Sequence, residues 1–333
     1  MSRNSGVLFS GFKWDHHDDE SGYHHLVSSA ADYVDGARLW GGDASVGSGK
    51  RKLNFLLNDL VTIYRALRYR AVVIFYPEQT AYISAPILRL FGKKVVYVLH
   101  LGEDYWFERN DSVFLKLKRF NLRFVSRFVV LTSQQQAVFA RRFPGRVTKI
   151  PHGTWCSDGD ERADVLPLPA ITVVGDNYRD YDLLGEIIRR FAVVMPELRF
   201  NLVGMKYEKL GELRHAPNVV CHGRLSAEDY QTLISRSLFV LLPLTFATAN
   251  NALLEGLREG VPVICNRVDG VLEYLPGPEY AFDSVDELLS VARKLLAMDL
   301  DARIVERTRL LEFVRREYAW DVVRRRVCDY ALG

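Results

Sequence analysis

"LFVLLPLTFATANNALLEGLREGVPVI", residues 238–264, is the stretch on which the fold turns. An unbroken apolar run, a short polar loop, a segment of helical length and a second apolar run follow one another. Continuous apolar strands joined through helices are what a parallel sheet covered on both faces requires. The alternation recurs in "GVLFSGF", "AVVIFYP", "KVVYVLH" and "RFVVLTS" before residue 150, and in "AITVVGD", "RFNLVG", "NVVCHG" and "VPVICN" after it. Each half therefore reads as a doubly wound, Rossmann-like α/β domain, and the carboxyl edges of the two sheets are expected to face each other across a cleft. The segment "PHGTWCSDGDERADVLPLPA" (151–170), rich in Pro, Gly and acid, reads as the linker. The expected division is an N-terminal domain 1–155, a C-terminal domain 156–310, and a helical segment 311–333 that closes the second domain or crosses back to the first.

With 333 residues, 48% of them hydrophobic, the chain has material for two separate cores. Cys156, Cys221, Cys265 and Cys328 are scattered without a CxxC pair, which argues against a disulfide framework or a zinc ribbon and suits a reducing cytoplasm. No long apolar leader opens the sequence, and "LFVLLPLTFA" is too short to span a bilayer. The expectation is a cytoplasmic protein, either soluble or peripheral at a membrane. Residues 1–150 hold 22 Lys and Arg against 13 Asp and Glu, and the remainder 22 against 28, so the first half is basic and the second acidic. A basic surface suits phosphates or anionic lipid.

The candidate sites lie where strands run into loops. "ITVVGDNYRDYDLLG" (171–185) is a strand, then Gly175, then the start of a helix, a place where free amides and a helix's positive end meet phosphate. Arg179 would add a bidentate donor there; the alternative is a surface turn with Asp180 capping the helix. In 238–264, Ala249, Asn250 and Asn251 lead into the helix and Glu255 follows about one turn later. A carboxylate there suits the paired hydroxyls of a ribose, or else is a helix glutamate with ion-pairing neighbours. "VVYVLHLGEDYW" (95–106) ends a buried strand at His100 and continues through Glu103, Asp104 and Tyr105. "GFKWDHHDDESGYHHLV" (11–27) places Ser21 and Gly22 before an apparent helix; its His and acid residues show no convincing metal-ligand spacing. In "FLKLKRFNLRFVSR" (114–127), Lys116, Arg119, Arg123 and Arg127 share one arc at helical spacing, either a basic face for an anionic leaflet or a solvated helix face. No aromatic-interleaved basic patch points to nucleic acid.

The succession "ITVVG…RDYDLL", "RFNLVG", "NVVCHGRLSAEDYQTLISRSLFVLLPL" and "NNALLEGLREGVPVICNRVDGVLEYL" resembles the second domain of GT-B glycosyltransferases, in particular the retaining family 4, or glycosyl transferases group 1. The likeness runs in register over about 171–280 and more loosely through "VVLTSQQQAVFARRF" and "KIPHGTW". It implies a metal-independent hexosyltransferase that moves sugar, with retention, from a UDP- or GDP-sugar to a glycan or lipid-linked acceptor, as in bacterial surface polysaccharide or glycoconjugate synthesis at the inner membrane.

By the same resemblance, Glu255 holds the ribose and Asn250, Asn251 and the amides around Ala249 sit by the diphosphate and sugar. Gly175 and Arg179 lie at the diphosphate, the backbone of Arg224 and Leu225 beside the base, and Ser21 and Gly22 against the phosphates. His100 resembles the residue beside the transferred sugar, the alternative being a satisfied histidine at a strand end. With Asp104, an acceptor contact or the base if the reaction inverts, and Arg179 it makes the catalytic set, and Asp18, Glu103 and Tyr105 read as acceptor contacts. The sequence departs from the family at two places. Ala247 stands where an acid precedes Glu255 by eight residues, and Asp176 follows Gly175 where the family has arginine. The first departure motivates the rival expectation, a degenerate non-catalytic scaffold or regulatory subunit; the other rival is a sugar-nucleotide epimerase.

Overall fold

In the first half of the chain the apolar runs become parallel strands β1 (Val7–Gly11), β2 (Tyr33–Asp35), β3 (Ala71–Phe75), β4 (Lys94–Val98), β5 (Arg127–Val130) and β6 (Val147–Lys149). They form one sheet in the order β2-β1-β3-β4-β5-β6. A second parallel sheet, β12-β11-β10-β7-β8-β9, is built from β7 (Ala170–Val174), β8 (Arg199–Val203), β9 (Val219–His222), β10 (Phe239–Leu242), β11 (Val263–Asn266) and β12 (Ala281–Phe282). The computed structural model describes residues 6–12, 22–36, 49–108, 112–156 and 167–333. Unit 1 comprises Met1–Gly153 with Trp320–Gly333, and unit 2 comprises Thr154–Ala319.

Helices cover both sheets: α1 (Gly49–Ala66), α2 (Pro77–Thr80), α3 (Ser84–Leu90), α4 (Val113–Leu122) and α5 (Ser133–Arg142) in unit 1, then α6 (Tyr181–Val194), α7 (Ala227–Ser235), α8 (Asn251–Arg258), α9 (Val285–Leu296) and α10 (Leu300–Tyr318) in unit 2. The last helix, α11 (Trp320–Leu332), returns to unit 1. Lys94 Nζ there donates to Leu332 O and Arg127 Nη1 to Tyr330 O, which tie α11 to β4 and β5. The return falls at Ala319–Trp320, not at residue 311, because the helical pattern of 301–332 contains two helices broken at Ala319, where ψ is 135°. Trp320 packs so closely over Gly153 that a Cβ on Gly153 would lie 2.5 Å from the indole.

The arc Lys116, Arg119, Arg123 and Arg127 is not one helical face. Helix α4 stops at Leu122, Arg123 caps it, and Arg127 already opens β5. Arg119 Nε donates to Trp106 O. Lys118, inside the fold, donates to Glu78 O.

Helix α1 is held by polar contacts. Ser10 and Thr62 hydroxyls lie 2.6 Å apart, Asn58 Nδ2 donates to Ser10 Oγ at 3.2 Å, and Asn54 Nδ2 donates to Gly36 O. Asp59 Oδ2 accepts from the amides of Tyr82, Ile83 and Ser84 at 3.1, 2.6 and 3.0 Å. Burial pushes the Asp59 carboxyl up from its ordinary range, while bonds from Ser84, Ile83 and Tyr82 pull it back. Removing this acceptor strands buried donors, so Asp59→Ala is expected to destabilise unit 1 by about 3 kcal/mol, and Asp59→Asn by less, in urea unfolding.

Candidate functional site

In the second sheet, β7 lies between β8 and β10, so the chain leaves β7 in one direction and later returns on its other side. The loops after β7 and β10 therefore meet at the topological switch point, where doubly wound sheets bind ligands. Hydrogen bonds join them: Asp180 N donates to Pro243 O at 3.0 Å and Thr245 N to Tyr178 O at 2.9 Å. Exposed rings of Tyr178 and Phe246 meet edge-on at 5.2 Å.

Gly175, with φ of 78°, turns the chain in a conformation that favours glycine. Behind it lies Arg179, buried, its Nε donating to Val174 O at 2.8 Å, its Nη1 to Asn177 O at 2.9 Å and its Nη2 to Val174 O. This arginine clamps its own loop by carbonyls, unlike the outward diphosphate ligand expected from sequence. Asp180 is the N-cap of α6, accepting from Leu183 N at 2.9 Å. The exposed cations at this edge are Lys206 and Lys209, following β8. They lie 2.8 and 3.6 Å from the Asp176 carboxylate. The Lys206 bond, with one from Tyr181, pulls Asp176 down to about 2.

Glu255, half-buried on α8, accepts from Tyr230 Oη at 2.6 Å. Tyr230 belongs to α7, the helix entered from Arg224 and Leu225, so this bond joins α7 to the carboxylate expected to hold ribose. Asn250 is the N-cap of α8 and accepts from Leu253 N at 3.2 Å. Ala249 and Asn251 flank it, half-buried. Asn266, at the end of β11, pins the exit of β10: its Oδ1 accepts from Leu244 N at 2.7 Å and its Nδ2 donates to Leu244 O at 2.8 Å. Ala247 is buried in the apolar core of unit 2, so no carboxylate occupies that position. The sequence reading missed Tyr230, Asn266, Lys206 and Lys209.

At the carboxyl edge of the first sheet, His100 stacks on Tyr76 at 4.3 Å and meets Tyr23 edge-on at 4.6 Å. Its loop is fixed on both sides. Glu78 Oε1 accepts from the amides of His100 and Leu101 at 2.8 and 3.1 Å, and Gln135 Nε2 donates to their carbonyls at 3.4 and 3.5 Å. Burial pushes the Glu78 carboxyl up and draws the Lys118 ammonium down to about 8. Glu103 is exposed, 4.0 Å from Arg142, and Asp104 opens a π-helical turn. Tyr105 donates its hydroxyl to Glu78 O at 3.1 Å, which makes it part of the wall behind the loop more than the acceptor contact expected. Gly22 precedes a single 3-10 turn, Tyr23–Leu26, in place of the expected helix. Asp18 and Ser21 lie outside the described residues. Among the described residues no group of three or more His, Cys, Asp or Glu side chains is placed to hold a metal ion.

His152, at the strand end after β6, is buried between Tyr23 and Trp320, whose rings lie 4.8 and 5.1 Å away. Its Nδ1 is 2.6 Å from Gly153 O; a carbonyl only accepts, so Nδ1 carries the proton. Burial pushes its pKa down to about 4.

Residues 169–298 match the family described as glycosyl transferases group 1. No curated protein matches the chain. Among solved structures, TarM superposes with a TM-score of 0.62 at 12% identity, over 83% of this chain and 58% of that one. HepE of Anabaena in complex with UDP gives 0.61 at 13%, over 82% and 81%. Sucrose-phosphate synthase of Thermosynechococcus elongatus gives 0.61 at 16%, over 97% and 87%. This chain thus spans under three fifths of the TarM chain. At such identities the likeness is one of fold, and the fold is GT-B.

Unfolded, His152 takes a proton near pH 6.5; folded, it stays neutral to about 4. Between these values the unfolded state binds more protons, so the contribution of His152 to stability is lost as pH falls through that window. The loss is expected to reach about 3 kcal/mol by pH 4, and His152→Gln to flatten that part of the stability profile in urea titrations at successive pH values.

Proposed function

Because residues 169–298 match glycosyl transferases group 1 and the fold is GT-B, we propose that this chain transfers a sugar from a nucleoside-diphosphate sugar to a glycan or lipid-linked acceptor. The observation that carries the reading is the Tyr230–Glu255 pair beside the switch point, a carboxylate oriented at 2.6 Å on a helix whose N-terminal end is capped by Asn250. In this reading Glu255 accepts from the ribose hydroxyls and the backbone at Arg224 and Leu225 flanks the base. Asn250, Asn251 and the amides near Ala249 meet the diphosphate at the positive end of α8. The UDP in complex with HepE makes a uridine donor the natural one to test first, with a guanosine donor second.

Arg179 supports this chemistry from behind, by holding the Gly175 loop, and Lys206 and Lys209 supply mobile positive charge to the departing nucleoside diphosphate. With protein cations in that role the reaction needs no metal, and chelator is expected to leave it unchanged. In the same reading His100 and Asp104 are the residues assigned to the transferred sugar, and Ser21, Gly22, Asp18 and Glu103 those assigned to donor phosphates and acceptor. Retention at the anomeric carbon, a cytoplasmic place at the inner membrane and a role in bacterial surface polysaccharide synthesis complete the reading.

A second reading follows from Ala247, buried where the family carries an acid: a chain that binds nucleotide and turns nothing over. Calorimetric titration with UDP, GDP and their sugar conjugates separates the two when followed by product analysis with acceptors. Glu255→Gln is expected to weaken nucleotide binding by about 1–3 kcal/mol, and Tyr230→Phe by less. Unchanged affinity in a folded Glu255→Gln protein removes Glu255 from the site, and tight binding without transfer favours the scaffold.

A further inference from the structure

Helix α1 is inside out. Its buried face carries Asn54, Phe55, Asn58, Asp59, Thr62 and Ala66, four of them polar, whereas Leu53, Leu56, Leu60 and Tyr64 are 45, 38, 45 and 66% exposed. Leu67, 42% exposed, prolongs this row past the helix end. The hydrogen bonds of Asn54, Asn58, Asp59 and Thr62 explain the inner face. They do not explain a leucine row facing outward, since helices of ordinary globular units place their apolar stripe on the core.

The apolar surface continues off the helix. Leu90 and Phe91, at the end of α3, are 88 and 60% exposed, and the next lysine, Lys93, reaches back to donate to Leu67 O at 2.7 Å and Tyr69 O at 2.8 Å. Along this stretch of the sequence the charge has one sign. Residues 49–102 contain nine Lys and Arg, and the only acids among them, Asp59 and Glu78, are both buried.

We propose that the outer face of α1, with Leu90 and Phe91, is a docking surface for an anionic lipid bilayer. Exposed leucines with Tyr64 and Phe91, in a stretch whose only acids are buried, are what an interfacial surface presents to acidic headgroups. Leu53, Leu56, Leu60, Ile63 and Leu67 also have the 3-4 spacing of a two-stranded seam. A second copy would meet this basic surface with its own, without an exposed acid in 49–102 to pair, and would leave Leu90 and Phe91 outside the seam. The inference locates the membrane half of the proposed function and is independent of its donor chemistry. It also moves the contact from α4, whose basic arc is broken by the helix end at Leu122 and by the strand that Arg127 opens.

The test is flotation of the full chain with vesicles of phosphatidylcholine alone, and of phosphatidylcholine containing about one-third phosphatidylglycerol, at low and high salt. Wild type is expected to float with the anionic vesicles only, and less at high salt. Replacing Leu53, Leu56 and Leu60 together by Gln is expected to lower the partition coefficient about tenfold or more at unchanged melting temperature. Arg68→Gln with Lys93→Gln is expected to weaken it and reduce its salt dependence, whereas Lys116→Gln with Arg123→Gln is expected to leave it unchanged. Absence of binding to anionic vesicles, or equal binding by the leucine variant, overturns the proposal. So does a wild-type dimer, seen by light scattering, that becomes monomeric in the leucine variant without vesicle binding. Nucleotide titration of the same variant is expected to match wild type, so failure of the donor site and failure of this surface are read separately.

Discussion

Strands that run parallel all end at one edge, and there the backbone groups beyond the ladder lose their partners together. A buried amide or carbonyl without a partner costs as much as a lost hydrogen bond, so each loop at that edge must be given a side chain. In unit 1, Asp59 takes three amides after α2, Glu78 takes two after β4, and Gln135 takes two more before α5. In unit 2, Arg179 takes the carbonyl at the end of β7 and Asn266 both groups of Leu244. These buried polar residues fix the loops on which the candidate site is built, and each is held by partners distant in sequence or across a turn.

Helix α1 shows what such an arrangement costs elsewhere. A helix docked through Asn54, Asn58, Asp59 and Thr62 gives up the apolar burial that normally seats a helix on a sheet, worth about 25 cal/mol per Å². Directional bonds replace it, and the leucines that would have been spent inward remain on the surface. In unit 2 the balance is the usual one: α8 buries Ala252, Leu253, Leu254 and Leu257 and turns its polar positions toward the switch point. Both units are wholly parallel sheets, but their strand orders differ, β2-β1-β3-β4-β5-β6 against β12-β11-β10-β7-β8-β9, and α1 and α8 seat on them by different contacts.

Much of this was legible from sequence. Nine apolar runs marked nine strands, eight of them inside the sheets, because a central parallel strand must be apolar on both faces. Strands β2, β6 and β12 escaped, being two or three residues long and at or near sheet edges, where periodicity has no length to act on. The segment 114–127 read as one helix because basic residues at helical spacing continue unbroken into a strand; the continuous apolar run 128–131 that follows Arg127 was the contrary signal. At the site, Glu255 and Asn250 stood out as polar residues opening an apolar helix. Tyr230, Asn266, Lys206 and Glu78 did not, since each acquires meaning from a partner on another element. Glu78 alone carried a usable signal, an acid three residues beyond a wholly buried strand in "AVVIFYPE".

The departure at Asp176 has a physical counterpart in the placement of the cations. An arginine whose donors are committed to Val174 and Asn177 cannot swing toward a ligand without uncapping its strand, so its charge is fixed and recessed. Lys206 and Lys209 sit on exposed, flexible stems and face a carboxylate. Asp176 is pulled down to about 2 and stays ionised throughout the physiological range, so protonation cannot release the lysines. In the proposed reaction the diphosphate must win them by competition, one anion for another, at little net change in charge pairing. Exchange of this kind weakens ground-state binding relative to an unpaired lysine and lets the same cations follow negative charge as it develops on the leaving group, the condition under which electrostatic stabilisation raises rate more than affinity.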